Sequence, residues 1–232
     1  DEGNTQIEIT DQTLTVNTGE VSVSTARALS QTTTGTVTGT ITSGTTIAAM
    51  LNSSSGLTDG ADAYTITIAA GDAEATATDL TALYGKTSVA VDASAVTQIT
   101  GTVAEANIVY GAGSSEITGL GNEIVVTTES GLTDVTALNT LDGNTTGTVN
   151  TATITSVTGT LAKLLTAYGS NGITGLGNEA ITVSDTTSLA ASDLNSLDSK
   201  TSGTVTTSTS LATLTGTVAE LNTAYGSSGL SI

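Results

Sequence analysis

The chain has 232 residues with a net charge of −18, and it contains no Cys, His, Pro, Trp or Phe. The missing His and Cys exclude Ser–His and Cys–His nucleophiles, the usual zinc ligands and disulfides. An anionic surface repels phosphates, which makes nucleic acid and anionic membranes poor partners. No apolar run reaches the roughly 18 residues of a membrane span.

Threonine is the most informative part of the composition, with 53 residues. Its β-branched side chain suits a pleated surface, so the composition favours strands. Five Tyr are the only aromatic residues, and Ala supplies much of the apolar fraction. This supply fills a thin core better than a thick one, which is typical of repeat proteins whose successive turns bury a little against each other.

Residues 1–23 lie outside the repeat that fills the rest of the chain. Apolar and polar residues alternate here as in half-buried strands, the apolar ones being Ile7, Ile9, Leu14, Val16, Val21 and Val23. The segment is predicted to cap the first turn of the repeat, because terminal turns need covering. The alternative is a connector strand donated to a neighbouring molecule.

Residues 24–232 repeat themselves with a period of about 57 residues. The predicted copies are 24–77, 78–133 and 134–190, followed by a truncated copy at 191–232. One block, Thr-Gly-Thr-Val-Ala-Glu-x-Asn-x-x-Tyr-Gly, occupies 100–111 and returns at 158–169 and 215–226 in related forms. A second block, Asp-Leu-x-x-Leu, begins at Asp79 and Asp193 and has a variant at 137–141, and Gly-Leu-Gly-Asn-Glu occurs at 119–123 and 175–179.

Short helices are predicted in the later copies. Ser192-Asp193 and Gly216-Thr217 are placed as N-caps, and Gly226 where a helix would stop. Apolar residues follow at helical spacing: Leu194 and Leu197 in one segment, Val218, Leu221 and Tyr225 in the other. Because the two blocks resemble each other, each repeat could be two coils, each with one strand and one short helix.

Strands are predicted between these helices. Ile66–Ile68 and Ile181–Val183 alternate at period two. Matched apolar positions precede each Thr-Gly and could stack into a ladder: Val96 and Ile99, Ile154 and Val157, Leu211 and Leu214. The predicted fold class is therefore mainly β, a β-solenoid-like repeat with short helices between strands.

Few residues suggest chemistry, and the chain is not predicted to be an enzyme. Paired carboxylates could in principle cleave glycosides, but sugar sites usually also offer aromatic rings. Tyr110, Tyr168 and Tyr225 hold the same repeat position, which favours a role as core or helix-end anchors. No catalytic, cofactor-binding or metal-binding residue is therefore predicted.

Calcium is the one cofactor with an argument in its favour. Carboxylates at matched positions could form columns, Glu123 with Glu179 and Asp142 with Asp198, and a hard cation would relieve their repulsion. The nonapeptide of calcium-binding β-rolls and any EF-hand loop are absent, so a solvated acidic edge is preferred. Separately, a local ion pair is expected for each of two matched lysines, Lys86 with Asp79 and Lys200 with Asp193.

The phrases at 137–149 and 174–180 resemble repeats of very large surface proteins of marine cyanobacteria, which are giant repetitive adhesins sometimes joined to calcium-binding β-rolls. The resemblance covers residues 78–232 well and 24–77 loosely. It implies secretion and a place at the cell surface or in a filament, and it carries over no catalytic residue.

The sequence thus predicts an extracellular, cell-surface structural or adhesive repeat protein that assembles with itself or with other surface components. One alternative is the shaft of a glycan-binding phage or bacterial fibre. Another is an ice-binding solenoid, because Thr-rich runs at 36–42 and 204–209 could form a flat lattice of hydroxyl and methyl groups.

Overall fold

The computed structural model describes residues 10–60, 62–111 and 116–232. Its helices are α1 (Val23–Ser30), α2 (Ile47–Met50), α3 (Ala77–Tyr84), α4 (Val103–Gly111), α5 (Val135–Asn144), α6 (Leu161–Gly169), α7 (Ala191–Asp198) and α8 (Val218–Gly226), with a 3₁₀ turn at Ala70–Asp72. Its strands are β1 (Leu14–Val21), β2 (Val37–Ile41), β3 (Ala63–Thr65), β4 (Glu74–Thr76), β5 (Val91–Asp92), β6 (Gln98–Gly101), β7 (Ile117–Thr118), β8 (Ile124–Thr127), β9 (Leu132–Asp134), β10 (Val149–Asn150), β11 (Ser156–Gly159), β12 (Ile173–Thr174), β13 (Ala180–Val183), β14 (Ser188–Ala190), β15 (Val205–Thr207), β16 (Thr213–Thr215) and β17 (Leu230–Ser231).

The fold is α/β, and the predicted mainly-β, β-solenoid-like class is wrong. Helix takes 31% of the described residues and strand 27%, and the parallel strands alternate with helices. The composition misled because Thr also begins and supports helices. Thr76, for example, accepts from the Asp79 N–H as the N-cap of α3, and Thr81 donates to the Ala77 carbonyl within that helix.

Two compact units divide the chain, Asp1–Thr97 with Ile108–Leu120 and Gln98–Asn107 with Gly121–Ile232. The first unit contains a parallel sheet in the order β1-β2-β3 and a second parallel pair, β5 and β7. Tyr64 on β3 is buried, and its hydroxyl donates to the Ala26 carbonyl of α1 at 3.0 Å. This bond ties helix to sheet inside the unit.

The second unit is built on longer parallel sheets. One has the order β17-β15-β13-β11-β9, β14 pairs with β16, and four strands of another sheet follow the order β12-β10-β8-β6. Each strand pairs with one about 25 residues away in the chain, as Val125 does with Val149 and Val157 with Ile181. Helices α5, α6, α7 and α8 pack on one another in sequence.

Each helix of the second unit follows two or three strands, which together with it form what is here called a layer. Strands β8 and β9 precede α5, β10 and β11 precede α6, and β12, β13 and β14 precede α7. The predicted coil of one strand and one helix is therefore too simple. The apolar ladder also differs from the predicted one. Val157 lies opposite Ile181 of the adjacent layer, so both halves of each repeat contribute to one ladder.

The core lies between the sheets and the helices. Ladder residues Val125, Val149 and Val157 are fully buried, as are the inward leucines of the helices, Leu138, Leu141, Leu164, Leu194 and Leu197. Burying such a side chain stabilises a fold by about 1.5–3 kcal/mol. Four of the predicted ladder residues are buried, Val96, Ile99, Ile154 and Val157, whereas Leu211 and Leu214 are half-exposed.

Several local predictions have clear outcomes. Residues 14–21 form the predicted strand, Val23 instead begins α1, and Ile7 and Ile9 lie outside the described residues. Thr217 caps α8 as predicted, and the helix ends at Gly226. The N-cap of α7 is Ala190, not Ser192-Asp193, because two further residues take helical backbone angles.

The predicted strands also differ in detail. Ile181–Val183 forms part of β13, as predicted. The strand expected at Ile66–Ile68 lies three residues earlier, at Ala63–Thr65, and Thr67 makes only an isolated bridge to Asp92.

Candidate functional site

The Gly-Leu-Gly-Asn-Glu sequence forms a turn around a buried carboxylate. Glu179 is 1% exposed, and both its carboxylate oxygens accept from the Gly177 N–H, at 3.1 and 2.8 Å. The Tyr168 hydroxyl donates to the same carboxylate at 2.8 Å, and burial followed by this bond raises the pKa of Tyr168. Gly175 and Gly177 have φ of 93° and 138°, which glycine adopts readily.

The earlier copy of this turn has the same geometry. Glu123 is fully buried and accepts from the Gly121 N–H at 3.0 and 2.8 Å. Asp142 and Asp198 instead accept hydroxyl bonds from Ser170 and Ser227, each at 2.7 Å. The matched carboxylates thus accept hydrogen bonds from backbone N–H groups and from serine hydroxyls. The prediction of a solvated acidic edge is wrong for Glu123 and Glu179, because both are buried. Among described residues, no three His, Cys, Asp or Glu side chains are grouped to hold a metal ion.

A second set of acids binds helix N-termini across layers. The Ile47 N–H, the first of α2, donates to Asp72 at 2.8 Å, and the Leu161 N–H of α6 donates to Asp185 at 2.7 Å. The Val103 N–H of α4 donates to Glu129 in the same way. These helices are about one repeat apart, so each repeat supplies one such acid. Sequence reasoning missed them, although their regular spacing was visible.

A row of asparagines links successive helices in the second unit. The Asn107 side-chain amide donates to the Ala137 carbonyl at 2.9 Å, and Asn139 and Asn195 donate to the carbonyls of Lys163 and Glu220, each at 3.0 Å. In every case the fifth residue of one helix binds the third residue of the next. These bonds fix the offset between neighbouring helices.

The two matched lysines do not make the predicted ion pairs. Lys86 binds Asp59 at 2.6 Å rather than Asp79, its neighbour in sequence. The Lys200 ammonium lies 3.5 Å from the Tyr168 carbonyl rather than pairing with Asp193. Both lysines therefore reach across layers, and Asp59 is so exposed that its ion pair contributes little stability.

The outer side of α8 and β16 is the most unusual surface of the second unit. We call it the α8 face and define it by five apolar or aromatic residues and one amide: Leu211, Leu214, Val218, Leu221, Asn222 and Tyr225. Val218 is 76% exposed and Tyr225 is 70% exposed, and the leucines are half-exposed. A groove runs along this face, lined by Thr207, Leu211, Leu214, Tyr225 and Ile232.

The same positions are covered in earlier layers. Val218 corresponds to Val103, which is 2% exposed, and to Leu161, which is 5% exposed. Leu214 corresponds to Ile99 and Val157, both fully buried. The apolar positions Leu214 and Val218 of the α8 face are thus core positions that no described segment covers. The predicted role of a helix-end anchor fits Tyr168 through its bond to Glu179, but Tyr225 points to solvent.

Comparisons with known proteins give no parallel for this arrangement. No family model, no curated protein and no solved structure matches the chain significantly. In the part of the chain that the structure describes, no helix has the length and apolarity that a bilayer crossing requires.

Proposed function

We propose that this chain is an extracellular structural or adhesive repeat protein that assembles with copies of itself into a surface fibre or layer. The observation that carries the proposal is the α8 face, where Val218 is exposed and Leu214 half-exposed although the counterparts of both are core residues. A contiguous exposed apolar surface usually marks an interaction site. Here the counterparts also indicate the binding mode, because further parallel strands and another helix cover them.

Open strand edges support the same function. Among the strands that the structure describes, β16 pairs with β14 alone and β1 with β2 alone, so each has one side on which no described strand binds its backbone donors and acceptors. Such edges are templates for pairing with another chain. Strand β16 carries neither the charge nor the Pro with which soluble proteins commonly protect an edge, whereas β1 carries one charge, Glu20, whose carboxylate accepts from the Ser43 N–H.

A structural role also agrees with how the chain uses its polar residues. The buried carboxylates hold backbone N–H groups, and the asparagines bind carbonyls, as Glu179 and Asn195 do. The carboxylates stabilise their own turns, and each asparagine fixes one helix on the next. The proposed location at the cell surface is supported by the acidic composition and by the repeat phrases that resemble surface adhesins.

A glycan-binding fibre shaft is the second candidate, and one observation favours it. The Tyr225 ring lies at a groove lined by hydroxyls, including Thr207 and Thr213, and exposed aromatic rings can stack on sugars. Ice binding has less support, because its two Thr runs lie on β2 and β15, which belong to different sheets.

Sedimentation velocity over a range of protein concentrations tests the proposed function directly. We expect the mean mass to rise with concentration, and negative-stain electron microscopy to show assemblies. A monomer at every concentration, with or without calcium, would contradict the proposal. A fixed trimer, together with binding to a glycan array that is lost in Tyr225→Ala, would favour the fibre shaft instead.

A further inference from the structure

We propose that the α8 face binds the β1–α1 layer of a second copy of this chain, with β1 pairing in parallel with β16. The inference rests on the proposed self-assembly and names its interface. It follows from the order of elements, from strand register and from the asparagine row, each of which is fixed by contacts inside the chain.

The order of elements shows which kind of layer fits on α8. The helices α4, α6 and α8 begin with the same Thr-Gly-Thr block. After α6, the next layer runs β12, β13, β14 and then α7. After α8, β17 takes the place of β12, since each is the first strand beyond its helix. A layer that packs on α8 must therefore supply counterparts of the three remaining elements, β13, β14 and α7.

The β1–α1 layer supplies these counterparts. Leu14 lies opposite Val37 just as Ile181 lies opposite Val205, and both Val37 and Val205 follow a Gly-Thr. Leu14 thus holds the place of Ile181 on β13. A register shift divides β1 between Thr15 and Glu20, so its second part takes the place of the third strand, and α1 follows directly.

Strand register then fixes which residues meet. In the described layers Val157 lies opposite Ile181 and Thr158 opposite Thr182. Leu214 holds the place of Val157, because Thr-Leu-Thr-Gly-Thr at 213–217 matches Ser-Val-Thr-Gly-Thr at 156–160. Leu214 is therefore expected opposite Leu14 of the second copy, and Thr215 opposite its Thr15. Leu14 and Leu214 are both half-exposed in the single chain, so both would become more buried.

The asparagine row gives an independent match. Asn222 is the fifth residue of α8, as Asn195 is of α7, and it is exposed. Asn195 donates to the carbonyl of the third residue of the next helix. The third residue of α1 is Thr25, which is also exposed. The Asn222 amide would accordingly donate to the Thr25 carbonyl of the second copy.

The chemistry of the two surfaces favours a second copy over an unrelated protein. The chain carries a net charge of −18, yet the residues of the α8 face are all uncharged. Because β16 carries no charge, Glu20, the one charged residue of β1, would not lie opposite a like charge on that strand. Since β1 and β16 are different surfaces, a pair of copies leaves one of each unused, and addition can continue, into a ring or an open filament according to the rotation at each contact.

Single-cysteine variants test this register cleanly, because the chain has no native Cys. Thr215→Cys and Thr15→Cys are made separately, each exposed in the single chain, and mixed under mild oxidation. We expect a disulfide-linked dimer in the mixture and little in either protein alone, since strand neighbours lie within disulfide range. Thr215→Cys mixed with Ser54→Cys, on an exposed loop, is the matched control.

A charge variant tests the face without cross-linking. Val218→Glu is expected to weaken self-association by about tenfold or more, because an ionised carboxylate must lose water to enter the contact. Leu132→Glu replaces a 65%-exposed residue on β9 with the same charge and should leave association unchanged within about twofold. Circular dichroism of both variants verifies folding.

The outcomes separate the interface from the function. Assembly that persists in Val218→Glu, with no specific cross-link in the mixture, would overturn the β1–α1 interface while self-assembly stands. A wild-type protein that remains monomeric at every concentration would overturn the proposed function and the interface with it. Cross-linking in the Thr215→Cys protein alone would indicate two α8 faces in contact and would also contradict the proposed pairing.

Discussion

The side-chain amide of Asn195 donates to the backbone carbonyl of Glu220 at 3.0 Å, which ties α7 to α8. The other carboxamide atom, Asn195 Oδ1, is buried and has no partner. Asn139 is in the same state, with its amide bound to Lys163 and its oxygen unpaired. Each asparagine therefore stabilises the array through its donor alone, and the acceptor adds a desolvation cost.

Asn195→Asp is expected to destabilise the protein more than Asn195→Ala. Alanine loses one hydrogen bond but also removes the unpaired oxygen, so we expect a loss near 1 kcal/mol. Aspartate places a carboxylate against the Glu220 carbonyl and should cost about 2–3 kcal/mol. Urea unfolding followed by circular dichroism measures both. Asn171→Asp, at an exposed position just after α6, is the control and should change stability by less than about 0.5 kcal/mol.

The Tyr168–Glu179 bond predicts a stability loss at alkaline pH. The pKa of Tyr168 is raised by burial and by its bond to Glu179, so folding favours the neutral hydroxyl. This contribution is complete below the ordinary Tyr pKa of about 10 and is lost as pH rises above it. Tyr168→Phe should lower stability at pH 7 by about 1–2 kcal/mol and flatten the alkaline decline. Equal slopes for wild type and Tyr168→Phe would contradict this assignment.

Two glycines that differ in their surroundings test how closely the layers pack. A Cβ at Gly203 would collide with the Glu179 backbone carbonyl, whereas a Cβ at Gly143 meets nothing within 4 Å. Gly203→Ala must therefore separate neighbouring strands and should cost about 2 kcal/mol or more. Gly143→Ala lies within α5 and should stabilise by up to about 1 kcal/mol. Thermal unfolding of the two variants gives opposite shifts if this packing is correct.

The repeat and its helix signals were readable from the sequence because each depends on local chemistry. Thr217 and Gly226 bound α8, and the leucine spacing of Leu194 and Leu197 gave α7 its buried face. The fold class was not readable from composition. A Thr residue can pair in a strand, cap a helix, or donate a hydrogen bond to a carbonyl one turn earlier in the same helix. The number of Thr residues alone therefore does not decide the fold class.

The candidate site was harder to predict because it is defined by what covers each position. The first positions of α6 and α8 cannot be told apart by residue type: Leu161 is buried under the next layer, and the similarly apolar Val218 is exposed. Likewise, Glu179 and Asp185 are six residues apart, yet one holds its own turn and the other the N-terminus of α6. Such roles follow from pairing between layers, which periodicity alone does not fix.

The acid at the α6 N-terminus should contribute to stability through an acceptor, not only through charge. Asp185→Ala leaves the Leu161 N–H without its partner and should cost about 1–2 kcal/mol. Asp185→Asn keeps a side-chain oxygen that can accept this bond, but it loses the charge that favours the helix N-terminus. It should therefore cost about half as much as Asp185→Ala. Urea unfolding at pH 7 compares the three proteins, and an Asn variant as unstable as the Ala variant would contradict the acceptor role.

Salt should promote self-association by screening the repulsion between copies. Each chain carries a net charge of −18, so copies repel each other as they approach. At 0.01 M salt the Debye length is about 30 Å and the repulsion is strong, whereas at 0.15 M it is about 8 Å and the repulsion is much weaker. The uncharged contact at Val218 and Leu214 is not itself weakened by salt. Sedimentation should therefore show tighter association at 0.15 M NaCl than at 0.01 M. Calcium chloride at matched ionic strength separates screening from binding: an equal effect supports screening, whereas a much larger effect of calcium would place a specific cation site at the interface.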